Sequence, residues 1–520
     1  MKILLSDWMR ELDSEAINKI GIPSIVLMEN AASGATEFIT EQFPIGIFKK
    51  VLIVTGPGNN GGDGIAVGRK LFSKGYEVLI VTLIDPENYT GDPEVNFNIV
   101  KKSGIPFKFI FEIEDFEKLL KTFPDKDSFV VDAIFGIGLS RPVKDSFFSK
   151  VIKTINDSVL KVFSIDVPSG ISEKFFRSEG VRIKADYTVT FQTLKISHLF
   201  PDYDNCTGKI RVVDIGIPDF LLDKKEYYLD LIEKRSAEAI IRSANPGDHK
   251  GVYGHLLVIA GSREKPGAAV LASVSALRSG AGLVTCTATS QNISVITGYD
   301  PGVMTLVDLT PEELISKAPE FSAILAGPGI GQNENSRSIV IKLIREYKNP
   351  LILDADALNV IGDNPSVLKE KEGCPVVITP HPKEFSRITG IEVKEILEKP
   401  CKISREFSMK FNLITVLKSH RTVIATPNGR VFINETGNPG MATGGSGDVL
   451  SGVISGLIAR TGSKFDIEEI VKAAVLLHGF SGDIAAEELG ETGMTAADLM
   501  DFLPYSMKRV DDFESEFEFR

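Results

Sequence analysis

The sequence predicts an α/β protein of two domains. Three observations carry that expectation: short apolar runs rich in Val and Ile, glycine-rich turns after several of them, and helix-period segments that follow. Continuous rather than alternating apolar runs suit strands covered on both faces, hence parallel sheets between helices. In the first half these runs are Val51–Thr55, Glu77–Thr82, Phe129–Ala133 and Val162–Ile165. In the second they are Leu256–Ala260, Ala323–Ala326, Leu351–Leu353, Val376–Ile378 and Leu413–Leu417.

A chain of 520 residues exceeds one ordinary core. The stretch 221–235 is charge-dense and lacks the strand–turn–helix rhythm, so it reads as a linker. It separates a first domain over 1–220 from a second over 236–507, each of ordinary size. The acidic tail DDFESEFEFR reads as a solvated end.

Hydrophobic residues make up 43% and charged residues 25%, the balance of a soluble globular protein. The net charge of −12 repels phosphate backbones and argues against nucleic acid as a partner. Cys206, Cys286, Cys374 and Cys401 are scattered without a CxxC pair. That argues against a disulfide framework or zinc site and points to a reducing cytoplasm. Asp7, Arg10 and Glu11 interrupt the N-terminus before a signal-peptide core can form. No stretch approaches the roughly 18 apolar residues of a membrane span, so no membrane partner is expected.

In the first domain, KVLIVTGPGNNGGDGIAVGRKLF reads as a strand, a glycine loop and a helix from about Asp63. Glycines there let backbone NH groups converge on an anion at the helix N-terminus. Gly56, Gly58 and Gly61 satisfy GxGxxG, and Asp85 follows at the spacing of a ribose-binding acid. A dinucleotide dehydrogenase is thus one reading; Pro57, the Asn59–Asn60 pair and Asp63 crowd its pyrophosphate turn and speak against it. Asp63 could equally be a helix N-cap. Asp132 and Asp166 stand at two further strand ends, where parallel sheets form their ligand crevice. With Asn60 and Ser169 they make an oxygen-rich, cysteine-free set suited to a hard or alkali cation. The alternative is that each aspartate caps a turn.

GPGNNGGDG, VDAIFGIGLSRPV and IDVPSG, in that order over 56–170, resemble the NAD(P)H-hydrate epimerase family, which has a Rossmann-like three-layer fold. The resemblance implies that Asn60, Asp132 and Ser169 hold a potassium ion. It implies that Asn59, Asn60, Gly61, Gly62, Asp63, Gly136, Ile137, Gly138, Leu139, Ser140, Arg141, Pro142 and Asp166 contact the hydrated nucleotide. Asp166 is the expected proton-transfer group, a role open to a carboxylate within reach of the ring.

In the second domain, NPGMATGGSGDVLSGVISGLIAR places Gly444, Gly445 and Gly447 before an amphipathic helix opening at Asp448. Such a mouth supplies NH donors for a transferring phosphoryl group, and its aspartate can accept a hydroxyl proton. No GK[ST] follows, so it is not a P-loop. The bland reading makes Asp448 the helix N-cap.

GGSGD at a helix start resembles the ribokinase-like superfamily. GHLLVIAGS, AGPGIG, LDADALN, TPHPKEF and LKSHRTVIA, over about 236–505, resemble its NAD(P)H-hydrate dehydratase branch. By that resemblance Ala268, Gly331, His381 and Asp448 contact the hydrated nucleotide. Lys418, Ser419, His420, Arg421, Thr422 and Gly447 bind the AMP portion of the donor. Ser419 stands where the family commonly has glycine. His381 could be an ordinary loop histidine, and Glu384 a helix cap or a ligand of metal-bound water. Asp354 and Asp356 either orient magnesium through water or make the turn. Lys418 offers a point cation to phosphate or is simply solvated.

Together the resemblances imply a fused repair enzyme. It interconverts the R and S forms of NADHX and NADPHX, and dehydrates the S form using ADP, releasing AMP and phosphate. Potassium serves the first site and magnesium the second, in a homo-oligomer. Two other readings remain at this point: a small-molecule kinase with an accessory domain, and a chain whose first half is a non-catalytic scaffold.

Overall fold

The computed structural model describes residues 1–124, 126–174, 180–200, 206–242, 247–362, 364–515 and 517–519. It divides into two compact units, Met1–Tyr227 with the C-terminal residues from Ser515, and Tyr228–Glu514. Each is a mixed α/β unit built on a largely parallel sheet, the predicted class.

In the first unit the sheet order is Phe517–Phe519, Lys209–Val213, Tyr187–Phe191, Lys161–Ile165, Ser128–Ala133, Lys50–Thr55, Glu77–Thr82, Phe107–Phe109. Every neighbouring pair is parallel. Successive residues of one strand enter opposite cores, as the pleat requires. Val51 and Ile53 pack with the helices Ser24–Gln42 and Asn59–Ser73. Leu52 and Val54 pack with Ile113–Leu120 and Phe147–Asn156. Phe43 stacks on Phe129 with ring centroids 4.3 Å apart, closing the first layer.

The chain order reverses between Lys50–Thr55 and Ser128–Ala133, so the loops leaving these strands part and open a crevice. Two glycines make the turn there possible. A Cβ on Gly56 would lie 2.1 Å from the Ile134 carbonyl oxygen, and one on Gly61 2.2 Å from the Gly56 oxygen.

In the second unit the order is Val303–Val307, Leu283–Ala288, His255–Ile259, Ala323–Ala326, Leu351–Leu353, Val376–Ile378, Ile414–Leu417, Val423–Ala425, Val431–Ile433, Leu229–Leu231. Only the pairings of Val423–Ala425 are antiparallel among these strands. The helix Ser446–Thr461 lies against Pro266–Arg278 at close range: a Cβ on Gly452 would meet the Ala272 carbonyl oxygen at 2.4 Å. That contact explains the run of small residues on both helices.

Several local readings change. The strand Leu229–Leu231 falls within the stretch read as a linker; its three apolar-edged residues pair with Val431–Ile433. The acidic tail is not merely solvated. Its phenylalanines alternate with Glu518, so Phe517–Phe519 adds an edge strand while Glu518 accepts from Arg211. Ser446–Thr461 begins two residues before Asp448 and is buried almost all round, rather than amphipathic. All four cysteines are buried and none forms a disulfide. Among the described residues no helix is long and apolar enough to cross a membrane.

Candidate active sites

A cavity of about 940 Å³ opens at the crevice of the first unit. Of the residues expected there, Asn59, Asn60, Asp63, Gly136, Ile137, Gly138, Leu139, Ser140, Arg141, Pro142 and Asp166 line it. Gly61 and Gly62 are buried and pack instead; a Cβ on Gly62 would lie 2.8 Å from Met28 Cε. The helix starts at Asn59 with Gly58 as its N-cap, earlier than the glycine pattern suggests. Asp63 is therefore inside the first turns and caps nothing. Burial and the charge of Asp166 raise its pKa well above the usual carboxylate range. Asp85 caps the short turn Pro86–Asn88 by accepting from Glu87 N. It is not among the residues that line the cavity, and the dehydrogenase reading loses its ribose ligand.

Asp166 follows the strand Lys161–Ile165 with φ +66°, a left-handed conformation costly for a residue with a Cβ. Its carboxylate is 2.9 Å from Nζ of Lys195, whose side chain is only 1% exposed. Lys195 also donates to Thr190 Oγ1 at 2.7 Å and to the Phe191 carbonyl at 2.8 Å. It is held there by the parallel pairing of Lys2–Leu4 with Leu194–Lys195. Burial alone would push the Asp166 carboxyl up, but the charge and hydrogen bond of Lys195, with the smaller help of its other partners, together leave the pKa below the ordinary value. Asp166 is thus a carboxylate at neutral pH. Beneath it His198 is kept neutral, with its pKa lowered to about 4 by burial and then by Lys195. Its Nδ1 accepts from Lys195 N, leaving Nε2–H to donate to the Asp166 carbonyl at 2.8 Å.

Asp132 and Ser169 lie fully buried behind this wall. Ser169 Oγ donates to Asp132 Oδ1 at 2.6 Å and Ser164 Oγ to Oδ2 at 2.9 Å. The Phe135 N–H donates to Ser169 Oγ, tying the 134–142 loop to the pair. Asn60 is different: both its amide atoms are buried without a partner. A Cβ on Gly136 would sit 3.2 Å from Asn60 Cβ and 3.1 Å from Asp166 Oδ2, so these three residues converge.

Two cavity residues carried no sequence signal. Lys195 sits in TLKISH, where a lysine reads as solvated, and Asp13 lies in a first helix that fits no motif.

In the second unit Asp448 occupies the first turn of Ser446–Thr461, whose N-cap is Gly445 at φ +95°; it makes no cap bond. A Cβ on Gly447 would stand 3.0 Å from Lys418 Nζ, so the lysine reaches the glycine mouth. Lys418 is far from merely solvated, being 2.8 Å from Asp354 Oδ1. The other oxygen of Asp354 is buried and has no partner. Burial, the Asp354 charge and, against them, Lys418 leave the Asp448 carboxyl raised to about 7.

His381 is the N-cap of Pro382–Thr389, accepting at Nδ1 from Lys383 N and Glu384 N; Glu384 returns the bond to His381 N at 2.8 Å. Glu384 is therefore a capping residue. Asp356 accepts from Gly331 N at 3.0 Å and pairs with Lys265 at 3.4 Å. Ala268 abuts Gly329 in the same corner. Ser419 donates to the Arg421 carbonyl at 2.7 Å, Arg421 to the Glu435 carbonyl, and Thr422 accepts from Asn434 N.

Residues 24–197 match the family model described as YjeF-related protein N-terminus, and 256–505 the one described as NAD(P)H-hydrate dehydratase. The bifunctional NAD(P)H-hydrate repair enzyme Nnr of Thermofilum pendens is 35% identical, covering 100% of this chain and 98% of that protein. The protein of the same name from Moorella thermoacetica is 35% identical over 98% of each chain. The Bacillus subtilis ADP/ATP-dependent NAD(P)H-hydrate dehydratase, crystallised with ATP and Mg2+, is 33% identical. It covers 54% of this chain and 98% of its own, with a TM-score of 0.48. The chain belongs to the family of bifunctional NAD(P)H-hydrate repair enzymes.

Proposed function

We propose that the protein restores hydrated NADH and NADPH in two steps, one in each unit. The first unit interconverts the R and S configurations at the hydrated carbon. The second dehydrates the S form with ADP as phosphoryl donor. The observation that carries the reading is Asp448 at a glycine mouth shared with Lys418, beside a second aspartate oxygen that nothing else satisfies.

In the second unit Asp448 takes the proton of the C6 hydroxyl as its oxygen attacks the β-phosphorus of ADP. AMP leaves, Lys418 offsets the charge of the moving phosphoryl group, and NH groups of the mouth orient it. Loss of phosphate from C6 and of a proton from C5 restores the double bond. The unpartnered Asp354 oxygen suits magnesium held through water, which supplies charge neutralisation on the phosphates when bound. Lys418–Thr422 and Gly447 serve the donor; Ala268, Gly331 and His381 serve the hydrate.

In the first unit Asp166 accepts and returns the proton of the hydroxyl on the hydrated carbon, while Asn59, Asn60, Asp63 and Gly136–Pro142 surround the nucleotide. Asn60, Asp132 and Ser169 suit potassium: buried oxygens with one carboxylate, and an Asn60 amide whose polar atoms are otherwise unpaired. When bound, such an ion supplies a fixed positive charge behind the loop. The four buried cysteines, none of them in a disulfide, support a reducing, cytoplasmic setting.

The test is an incubation of the full chain with racemic hydrate and ADP. AMP, phosphate and reduced nucleotide are expected in equal amounts, with a fast phase for S and a slower one for R. Exchanging potassium for lithium is expected to slow only the second phase, by tenfold or so, if the cation contributes on the order of 1.4 kcal/mol. Two phases indifferent to the cation contradict the ion assignment. No AMP with any hydrate contradicts the function.

A further inference from the structure

Beside Asp166, the cavity of the first unit contains a carboxyl that the reading above leaves without a task. Asp13 comes from the helix Ser6–Glu15, lines the cavity, and is partly buried. Its side chain makes no hydrogen bond or ion pair with the described residues, although Lys195, Asp166 and Asp63 all act on it through space. A structural aspartate on a helix is normally a cap, a surface group or a member of a salt bridge. Asp13 is none of these: Arg10 on its own helix turns to Asp7 and the Ile137 carbonyl instead.

We propose that Asp13 is the second proton carrier of the epimerisation site, giving and retaking the ring-nitrogen proton while Asp166 handles the hydroxyl proton. The inference rests on the epimerase reading of this unit and deepens it. Inverting the hydrated carbon requires one of its bonds to break and re-form. In the step assigned here, the Asp166 carboxylate removes the C6 hydroxyl proton, and that oxygen pair becomes the second bond of a C6 aldehyde. The C6–N1 bond breaks with its electrons passing to N1, which takes the proton of Asp13. Rotation about C5–C6 then offers the other face. Re-closure runs the same transfers backwards: N1 attacks C6 and returns its proton to Asp13, and Asp166 re-protonates the oxygen. Proton-in balances proton-out, and no net charge is created in a cavity that solvates charge poorly.

The electrostatics suit this division. Lys195 is bonded to Asp166 at 2.9 Å and makes no ion pair with Asp13, so the same lysine fixes one group as the base and leaves the other available as an acid. Burial, opposed by Lys195 and helped by Asp166, raises the Asp13 carboxyl to about 6. Asp63, which also lines the cavity, is shifted the same way by burial and by the Asp166 and Asp13 charges. His198, below Asp166, stays neutral throughout.

The experiment compares full-length wild type with Asp13→Asn and Asp13→Glu, using racemic hydrate, ADP and potassium across pH 5 to 9. The slow, R-consuming phase is the readout. The fast phase, run by the other unit, checks that the chain and assay are intact. Asp13→Asn is expected to slow the R phase about 100-fold, within the range of lost acid–base catalysis, with KM changed by less than threefold. Asp13→Glu is expected to recover at least a tenth of the rate. Wild-type kcat/KM for this phase is expected to fall as pH rises through about 6, because the acid form is needed. The residual rate of Asp13→Asn should have lost that fall, which a merely structural role would not remove. An Asn variant within threefold of wild type overturns the proposal, as does a residual profile that keeps the decline. A wild type with no R phase at all indicts the epimerase reading instead.

Discussion

Asp448→Asn is expected to bind ADP normally and to dehydrate S hydrate on the order of 10³-fold more slowly, within the usual loss for a removed general base. Asparagine preserves shape at the helix start, where Asp448 makes no cap bond, so little stability is at stake. What disappears is the proton acceptor. In wild type that acceptor is raised to about 7, by burial first and Asp354 second, with Lys418 opposing. The base form therefore gains as pH rises. kcat/KM for dehydration is expected to climb about tenfold per unit below pH 7 and to level off above it. Initial rates and a nucleotide-binding isotherm check both halves of this expectation; normal turnover by the variant removes the base assignment.

Asp166→Asn is expected to leave S hydrate consumption intact and to halt a racemic mixture at half conversion, with R hydrate untouched. The loss is expected to reach 10³-fold or more because two roles end together: proton transfer, and neutralisation of Lys195. The lysine keeps Thr190 Oγ1 and the Phe191 carbonyl as acceptors, but becomes a buried cation without a counter-ion. Breaking one side of a buried pair typically costs about 3–5 kcal/mol. The melting transition of the first unit should fall accordingly. Calorimetry together with the half-conversion endpoint separates lost chemistry from lost folding, because a native-like melt with full conversion contradicts both roles. The strained backbone at φ +66° adds a second reason why this position tolerates little change.

Much of the fold was readable because parallel strands covered on both faces announce themselves. Glu77–Thr82, Ala323–Ala326, Leu351–Leu353 and Val376–Ile378 were bounded correctly from apolar continuity alone. Strands that break the pattern escaped notice. Phe107–Phe109 is an exposed edge whose central lysine breaks any apolar run, and Phe517–Phe519 alternates with an acid, so the tail read as solvated. Leu283–Ala288 was hidden in a run of small residues whose spacing serves helix contact as well as strand burial.

The sites divide in the same way. Loops were legible where glycine is obligatory, since Gly56 and Gly61 make contacts no side chain permits. The groups that set the chemistry were less so. Lys195 and Asp13 come from elements far apart in sequence, and only their convergence on one cavity gives them meaning. For Lys418 the resemblance implied a role with the donor, but a solvated strand end stayed open because the aspartate that holds it, Asp354, lies 64 residues away. Helix starts at Asn59 and Ser446 preceded the expected Asp63 and Asp448 because glycines, Gly58 and Gly445, serve as the N-caps and further glycines fill the first turns.

The central claim is that one chain both corrects the hand of the damaged coenzyme and dehydrates it. Supplying pure R hydrate with ADP, potassium and magnesium, and following the absorbance of reduced nicotinamide, tests it most directly. Complete recovery is expected after a lag while S hydrate accumulates, with one AMP formed for each nucleotide restored. R hydrate that persists unchanged, beyond its spontaneous rate in the absence of protein, contradicts the account.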